Sequence, residues 1–281
     1  DHVCLAYGGG NPRSMYTTLW SSAIDSSSYV YFGGDTPDRG SREPMGIAVF
    51  DDSGDSITTY NTINAGLPDN QTRALAVQVN SRGDSLLWAG FPGTGVYVGR
   101  LRSPRTQPPS FSVIPSTGNY DVFGIVPHGD SIWVLTTSNL VRIRASSFTV
   151  QSLYGVAAGP APRGAVHPLA VAADGTVYVG SVDGVRVYAP GKAPFDYRTD
   201  NSPLADNEVR CIAVDPATGV LWIGTAAGLN RLDPHYVPPA PPAIASLHLT
   251  VYPHPAVQTA IGFELRLSGN TTAYTGEIVG L

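Results

Sequence analysis

Apolar residues in this 281-residue chain come in short runs, each closed by glycine, asparagine, aspartate or proline. Five of these runs carry an aromatic in the same place: YVYFGG, LLWAGF, SIWVLT, TVYVGS and VLWIGT. A further run follows each of them, GIAVF, GVYVG, NLVRI, GVRVY and GLNRL. Almost nowhere do apolar positions recur at the roughly 3.6-residue spacing of an amphipathic helix, so the pattern predicts strands throughout. Gly95, Gly184 and Gly228 open the later runs, where a tight turn calls for a residue that tolerates positive φ.

The pattern repeats. The aromatics are Tyr31, Trp88, Trp133, Tyr178 and Trp222; the last three intervals are 45, 45 and 44 residues and the first is 57. A polar lead-in with an inner run precedes each aromatic, and a fourth run such as SITTY or FDY ends the unit before the phrase LPDN or LADN begins the next. Four strands per unit at this period predict an all-β fold, a β-propeller of five four-stranded blades over residues 1–234. The five aromatics share one phase and are expected in the core, stacking blade on blade.

The segments LADNEVRCIAVDPATGVLWIGTAAGLNRLDP and GLPDNQTRALAVQVNSRGDSLLWAGFPGTGVYVGRL resemble the propeller repeats found in the sensor regions of two-component regulators. The likeness is strong in units two and five and looser in three and four. Those regions usually carry more blades than the five read here and continue into a membrane helix and a kinase. Residues 1–281 encode neither, so the resemblance implies the fold and not a signalling role.

Unit five lacks a fourth run, because HYVPPAPPAIAS is too rich in proline for a paired strand. LAYGGGNPRSMYTTLWSSAID (5–25) aligns without a gap on FDYRTDNSPLADNEVRCIAVD (195–215). The expectation is that residues 2–7 add the outer strand of blade five and close the ring, as propellers commonly do. Cys4 and Cys211 would then lie on the outermost and innermost strands of one blade, too far apart for a disulfide. A segment of a larger ring, starting in the same phase, is the alternative.

Residues 235–247 read as a semi-rigid Pro/Ala linker, and 248–281 as a separate piece. LHLTVYPHPAVQTAIGFELRL resembles the opening of the small Ig-like modules at the C-termini of secreted and cell-surface bacterial proteins, which typically begin YPNPA; here His254 replaces the Asn. The alternation in IGFELRL places Ile261, Phe263, Leu265 and Leu267 on one face of a half-buried strand. Only about three strands fit before Leu281, fewer than the roughly seven of a full sandwich, so the expected module is a partial Ig-like sandwich. The resemblance implies export, with an anchoring or sorting role.

A net charge of -5 and a pI near 5.6 leave no basic face for phosphate neutralisation, so no nucleic-acid partner is expected. No stretch approaches the ~20 apolar residues of a membrane helix, and the chain opens at Asp1 without a charged-then-apolar leader, as a mature product or a fragment would. Two cysteines make no disulfide framework. His2, His128, His167, His235, His248 and His254 show no ligating spacing, and Asp51, Ser53 and Asp55 lack the Gly and Glu of a calcium loop. No metal, no cofactor and no nucleophile motif is therefore expected.

What is left is topology. The loops entering the inner strands and those joining strands two and three share one rim, on which fall Trp20, Asp69, Asn70, Arg73, Asp206, Asn207 and Arg210. The insertion GGDTPDRGSREPMG adds Asp35, Asp38, Arg39, Arg42 and Glu43, polar groups on the one loop that breaks the repeat. LPDN and LADN also read as plain turn chemistry, with Asp and Asn bonding local amides. The expectation is a non-enzymatic binding module, secreted or on a bacterial cell surface, for a glycan or protein ligand. Two alternatives stand beside it: a subunit of an extracellular assembly that self-associates through its C-terminal module, and a polysaccharide hydrolase or lyase built from scattered carboxylates.

Overall fold

Twenty-four strands and no helix make up the described residues of the computed structural model: 3–5, 15–17, 19–34, 46–51, 56–155, 168–234, 247–253, 260–267 and 273–279. A hairpin of β1 (Val3–Leu5) and β2 (Met15–Thr17) opens the chain. Blade one is β3 (Leu19–Ile24), β4 (Val30–Gly34), β5 (Ile47–Phe50) and β6 (Ser56–Tyr60). Blade two is β7 (Ala74–Val79), β8 (Ser85–Phe91), β9 (Gly95–Arg100) and β10 (Ser112–Val113). Blade three is β11 (Val122–His128), β12 (Ser131–Thr136), β13 (Asn139–Arg144) and β14 (Thr149–Gly155). Blade four is β15 (Leu169–Val171), β16 (Val177–Ser181), β17 (Gly184–Tyr188) and β18 (Phe195–Tyr197). Blade five is three-stranded among the described residues: β19 (Val209–Val214), β20 (Leu221–Thr225) and β21 (Gly228–Leu232). Strand order follows the chain and every pairing is antiparallel, as in a propeller.

The turns after the inner strands are made by single polar side chains. Asp25 Oδ1 accepts the amides of Ser27 and Tyr29, and Asn80 Oδ1 those of Arg82 and Asp84. Such side chains replace the missing ladder bonds and so end the strand.

The apolar core lies between blades. Tyr31, Ile47 and Val49 of blade one pack on Leu75, Leu87 and Ala89 of blade two. Trp88 and Val96 meet Ile125 and Ile132; Trp133 and Leu140 meet Leu169 and Val177; Tyr178 and Val185 meet Leu221 and Ile223. The face each blade turns to its successor is here called leading, and the other trailing. Two residues beyond the aromatic, Gly90 and Gly180 let the next blade come close: a Cβ on Gly90 would collide with Val122, and one on Gly180 with Val209.

Three expectations need correction or completion. Of the segment 2–7 the structure describes residues 3–5, and these do not pair with β21; Val3, Cys4 and Leu5 pair with Thr17, Tyr16 and Met15, a local hairpin that closes a far shorter loop than a partner some 200 residues away. Cys211 is a free, exposed thiol. Four of the repeated aromatics are core, at 0% to 8% exposure, but Trp222 is 42% exposed, because no described blade packs on that face.

The chain divides into two compact units, Asp1–Pro234 and His235–Leu281. The second contains one antiparallel sheet, β22 (Leu247–Pro253), β23 (Ala260–Leu267) and β24 (Ala273–Val279), without a facing sheet among the described residues. A sandwich core requires two such sheets.

Blades one and two share a buried ion pair. Arg105 Nε donates to Asp25 Oδ2 at 2.9 Å, Tyr31 Oη donates to the same oxygen at 2.9 Å, and Tyr60 Oη donates to the Arg105 carbonyl at 2.6 Å. Burial pushes the Asp25 carboxyl up, but the hydrogen bonds from Arg105, Tyr31 and two amides outweigh it and hold the carboxyl below its ordinary value. Burial likewise pushes the Tyr60 hydroxyl up to about 12.

Arg105→Ala strands the Asp25 carboxylate and is expected to lower unfolding stability by about 3 kcal/mol in a denaturant titration. Because the folded pKa of Asp25 is depressed, its stabilisation is complete above the unfolded value of about 4 and is lost as pH falls through the folded one. Asp25→Asn is therefore expected to flatten the acid limb of the stability curve. Gly90→Ala is expected to cost about 1–3 kcal/mol by overpacking, whereas Gly118→Ala, with open space at its Cβ, is expected to be near neutral by the same titration.

Candidate functional site

A shared register brings one residue from each of blades one, two, three and five to the entrance of the inner strands. Each blade's aromatic has a cross-strand partner on the inner strand: Ala23, Ala76, Val126, Ala170 and Ala213. Three residues before those partners stand Trp20, Arg73, Phe123, His167 and Arg210. In blades one, three and five that position is a β-bulge, between Leu19 and Ser21, Val122 and Gly124, and Val209 and Cys211. A bulge adds one unpaired residue and re-aims its side chain away from the pleat. Trp20, Phe123 and Arg210 are the bulged residues; Arg73 directly precedes β7, its amide held by the Gly90 carbonyl at 2.9 Å.

The geometry at blades one to three is specific. The Arg73 guanidinium carbon lies 5.9 Å from the Trp20 ring centre and 5.5 Å from that of Phe123. All three side chains are half-buried. Among the described residues, no carboxylate forms an ion pair with Arg73. A guanidinium that lies over aromatic rings and has no carboxylate partner is a donor suited to a planar acceptor such as a carboxylate, an amide or a pair of sugar hydroxyls. Ser21 Oγ and Thr72 Oγ1 are buried without hydrogen-bond partners, and both residues lie against Gly33 where blades one and two meet.

The other rim residues have defined local partners. Asp69 Oδ1 accepts the Gln71 amide, and Asp206 Oδ1 the Glu208 amide. Asn70 Oδ1 accepts the Thr62 amide, and Asn207 Oδ1 the Thr199 amide. Arg210 binds Glu208 Oε1 at 3.1 Å on an exposed surface. The structure thus brings Trp20 and Arg73 together and adds Phe123, which the sequence reading missed. Its signal was present: Phe123 precedes Gly124 at the same offset from the blade aromatic's partner as Trp20 and Arg210 do from theirs. Asp35, Asp38, Arg39, Arg42 and Glu43 lie outside the described residues, as do His167, His254, Ser53 and Asp55.

Away from Arg73, a concavity of about 430 Å³ opens between blades three and four at the opposite ends of the inner strands. Tyr154 stands 6.0 Å from Trp133 and 5.5 Å from Tyr188, with Arg142 over the Trp133 ring at 5.7 Å. Among the described residues no three His, Cys, Asp or Glu side chains gather as a metal would require, and no helix is long and apolar enough to cross a membrane.

No family model matches the chain, and no curated protein does. Solved structures do. The extracellular domain of a hybrid two component system from B. thetaiotaomicron is 16% identical over 95% of this chain and 40% of that one, with a TM-score of 0.60. A second such domain from the same organism is 17% identical over 85% of this chain and 29% of that one, at 0.57. PorZ, a bacterial surface component of the type-IX secretion system of Porphyromonas gingivalis, is 12% identical over 96% of this chain and 45% of that one, at 0.56. The chain therefore spans less than half the length of each of these proteins, and at such identities the likeness establishes the fold alone.

The Arg73–Trp20 contact is expected to be worth about 0.5–1 kcal/mol. A double-mutant cycle of Arg73→Ala and Trp20→Leu, read by denaturant unfolding, measures that coupling directly.

Proposed function

We propose that this chain is a non-enzymatic binding module displayed outside a bacterial cell, taking a glycan or protein ligand at the entrance of the inner strands. The observation that carries the reading is Arg73, 5.9 Å from the Trp20 ring centre and 5.5 Å from that of Phe123, with no carboxylate partner among the described residues. Aromatic faces give a sugar ring or a side chain an apolar platform, and a guanidinium fork fixes its orientation. The site is assembled from three blades, so its geometry is set by a rigid scaffold.

Extracellular placement is supported by the likeness to domains that are themselves extracellular. The C-terminal strands are assigned to anchoring or sorting as a partial Ig-like module, supported by the YPHPA opening. The rim loop with Asp35, Asp38, Arg39, Arg42 and Glu43 is assigned to the same ligand, on the ground that it breaks the repeat at the rim.

Screening on glycan and peptide arrays, followed by calorimetric titration, tests the reading. Saturable binding is expected, weakened about tenfold or more by Arg73→Ala, with Tyr154→Ala in the concavity between blades three and four as the unaffected control. Binding that survives Arg73→Ala and Trp20→Ala but is lost in Tyr154→Ala would move the site to the groove between blades three and four.

A further inference from the structure

The groove between blades three and four has a chemistry of its own. Its volume of about 430 Å³ falls in the range of small-molecule sites, roughly 300–1,000 Å³, and suits one ring-sized unit. One wall is the leading face of blade three, where the register sets Trp133, Arg142 and Tyr154 on the same side; the other is the trailing face of blade four, with Tyr188. The Tyr154 ring is inclined by 35° to Trp133 and by 53° to Tyr188. Rings so inclined form a concave apolar wall, a shape that the C–H face of a puckered sugar ring can follow.

Cationic groups edge this wall. Arg142 lies over the Trp133 ring at 5.7 Å with its Nε donating to Ser131 Oγ at 2.9 Å, so the guanidinium is held in place by groups other than a carboxylate. Lys192, the only lysine of the chain, enters from the turn APGK. Pro190 and Gly191 (φ +71°) take its two central positions, as in a type II turn, and the Lys192 amide closes it by donating to the Ala189 carbonyl at 3.2 Å. His128 reaches across from blade three, with Nε2 at 3.3 Å from the Ala173 carbonyl of blade four. No Asp or Glu lines the groove, and among the described residues neither Arg142 nor Lys192 forms an ion pair. The carboxylates nearest the lining in sequence are engaged: Asp130 by the Ser146 hydroxyl at 2.7 Å, Asp174 by that of Thr176 at 2.9 Å and Asp196 by Arg186 at 3.5 Å. In a chain of net charge -5, a groove edged by cations and lined by no acid is complementary to an anion.

We infer that this groove is a binding site for an anionic sugar of the hexuronate class, whose ring lies on the tyrosine wall and whose carboxylate is taken by Arg142 and Lys192. The site lies at the opposite ends of the inner strands from Arg73, and its reading does not rest on the one made there.

The single lysine gives the groove its own reporter. Reductive methylation with isotope-labelled formaldehyde keeps the charge of Lys192 and adds one lysine signal to the NMR spectrum of the full chain, apart from that of the N-terminal amine. Titration with glucuronate is expected to shift that signal saturably. Glucose, which lacks the carboxylate, and acetate, which lacks the ring, are each expected to bind about tenfold more weakly or worse. Arg142→Gln and Tyr154→Leu, which leave the reporter in place, are each expected to weaken glucuronate about tenfold. Arg82→Gln, exposed and outside the lining, removes the same charge as Arg142→Gln and is expected to leave the titration unchanged. An unaltered chain whose Lys192 signal shows no saturable shift overturns the proposal, whatever the variants do. Glucose equal to glucuronate would remove the role of the cations, and acetate equal to glucuronate that of the ring; either result overturns it. Glucuronate that binds by calorimetry without moving the Lys192 signal, and no longer binds after Arg73→Ala, overturns it too and assigns the carboxylate to Arg73.

Discussion

The stacking of one blade's aromatic on the next blade's aliphatic face is the contact on which the rest of this molecule depends. A four-stranded antiparallel sheet has two faces to cover, and a single sheet covers neither. Tyr31, Trp88, Trp133 and Tyr178 are each buried only because another blade lies against them. Aromatic side chains of this size bury on the order of 150–250 Å² apiece, so each junction is held by one large residue and a patch of Val, Leu and Ile around it. Stability is then largely a sum over nearest-neighbour junctions, as in other repeat architectures.

Stacking also fixes the inner strands side by side, and their two ends take different work. At the end where β3 runs into its turn, Asp25 is fully used: Arg105, Tyr31 and the amides of Ser27 and Tyr29 account for its oxygens. A buried carboxylate tolerates this only with every acceptor occupied. At the entrance end, the bulged Trp20 and Phe123 stand beside Arg73. In blade one the turn end is thus taken up by contacts that hold blades together, while the entrance end carries Arg73 without a carboxylate partner among the described residues.

Part of this was legible in the residues. The strands, their grouping by four, and the aromatic at the centre of each blade followed from spacing, because strand alternation and turn chemistry are local properties. So was the turn role of Asp69, Asn70, Asp206 and Asn207, one of two readings the rim phrase allowed. The partner of the N-terminal strand was not: residues 2–7 match the outer strand of a blade in pattern, but pattern does not weigh a distant edge against a hairpin ten residues on. Phe123 was passed over because the register that aligns it with Trp20 is set by a bulge, which shifts pairing by one residue without a fixed sequence mark.

Sequence by itself determined that the chain folds into repeated antiparallel blades, since the information for each hairpin lies within its own 45 or so residues. Tertiary structure decided what the repeated positions become. Trp88 and Trp222 sit in near-identical text, yet one is sealed and the other is exposed, because burial depends on a neighbouring blade that the local sequence does not contain. Trp20, Arg73 and Phe123 lie far apart in the chain and meet only because stacking sets their inner strands side by side.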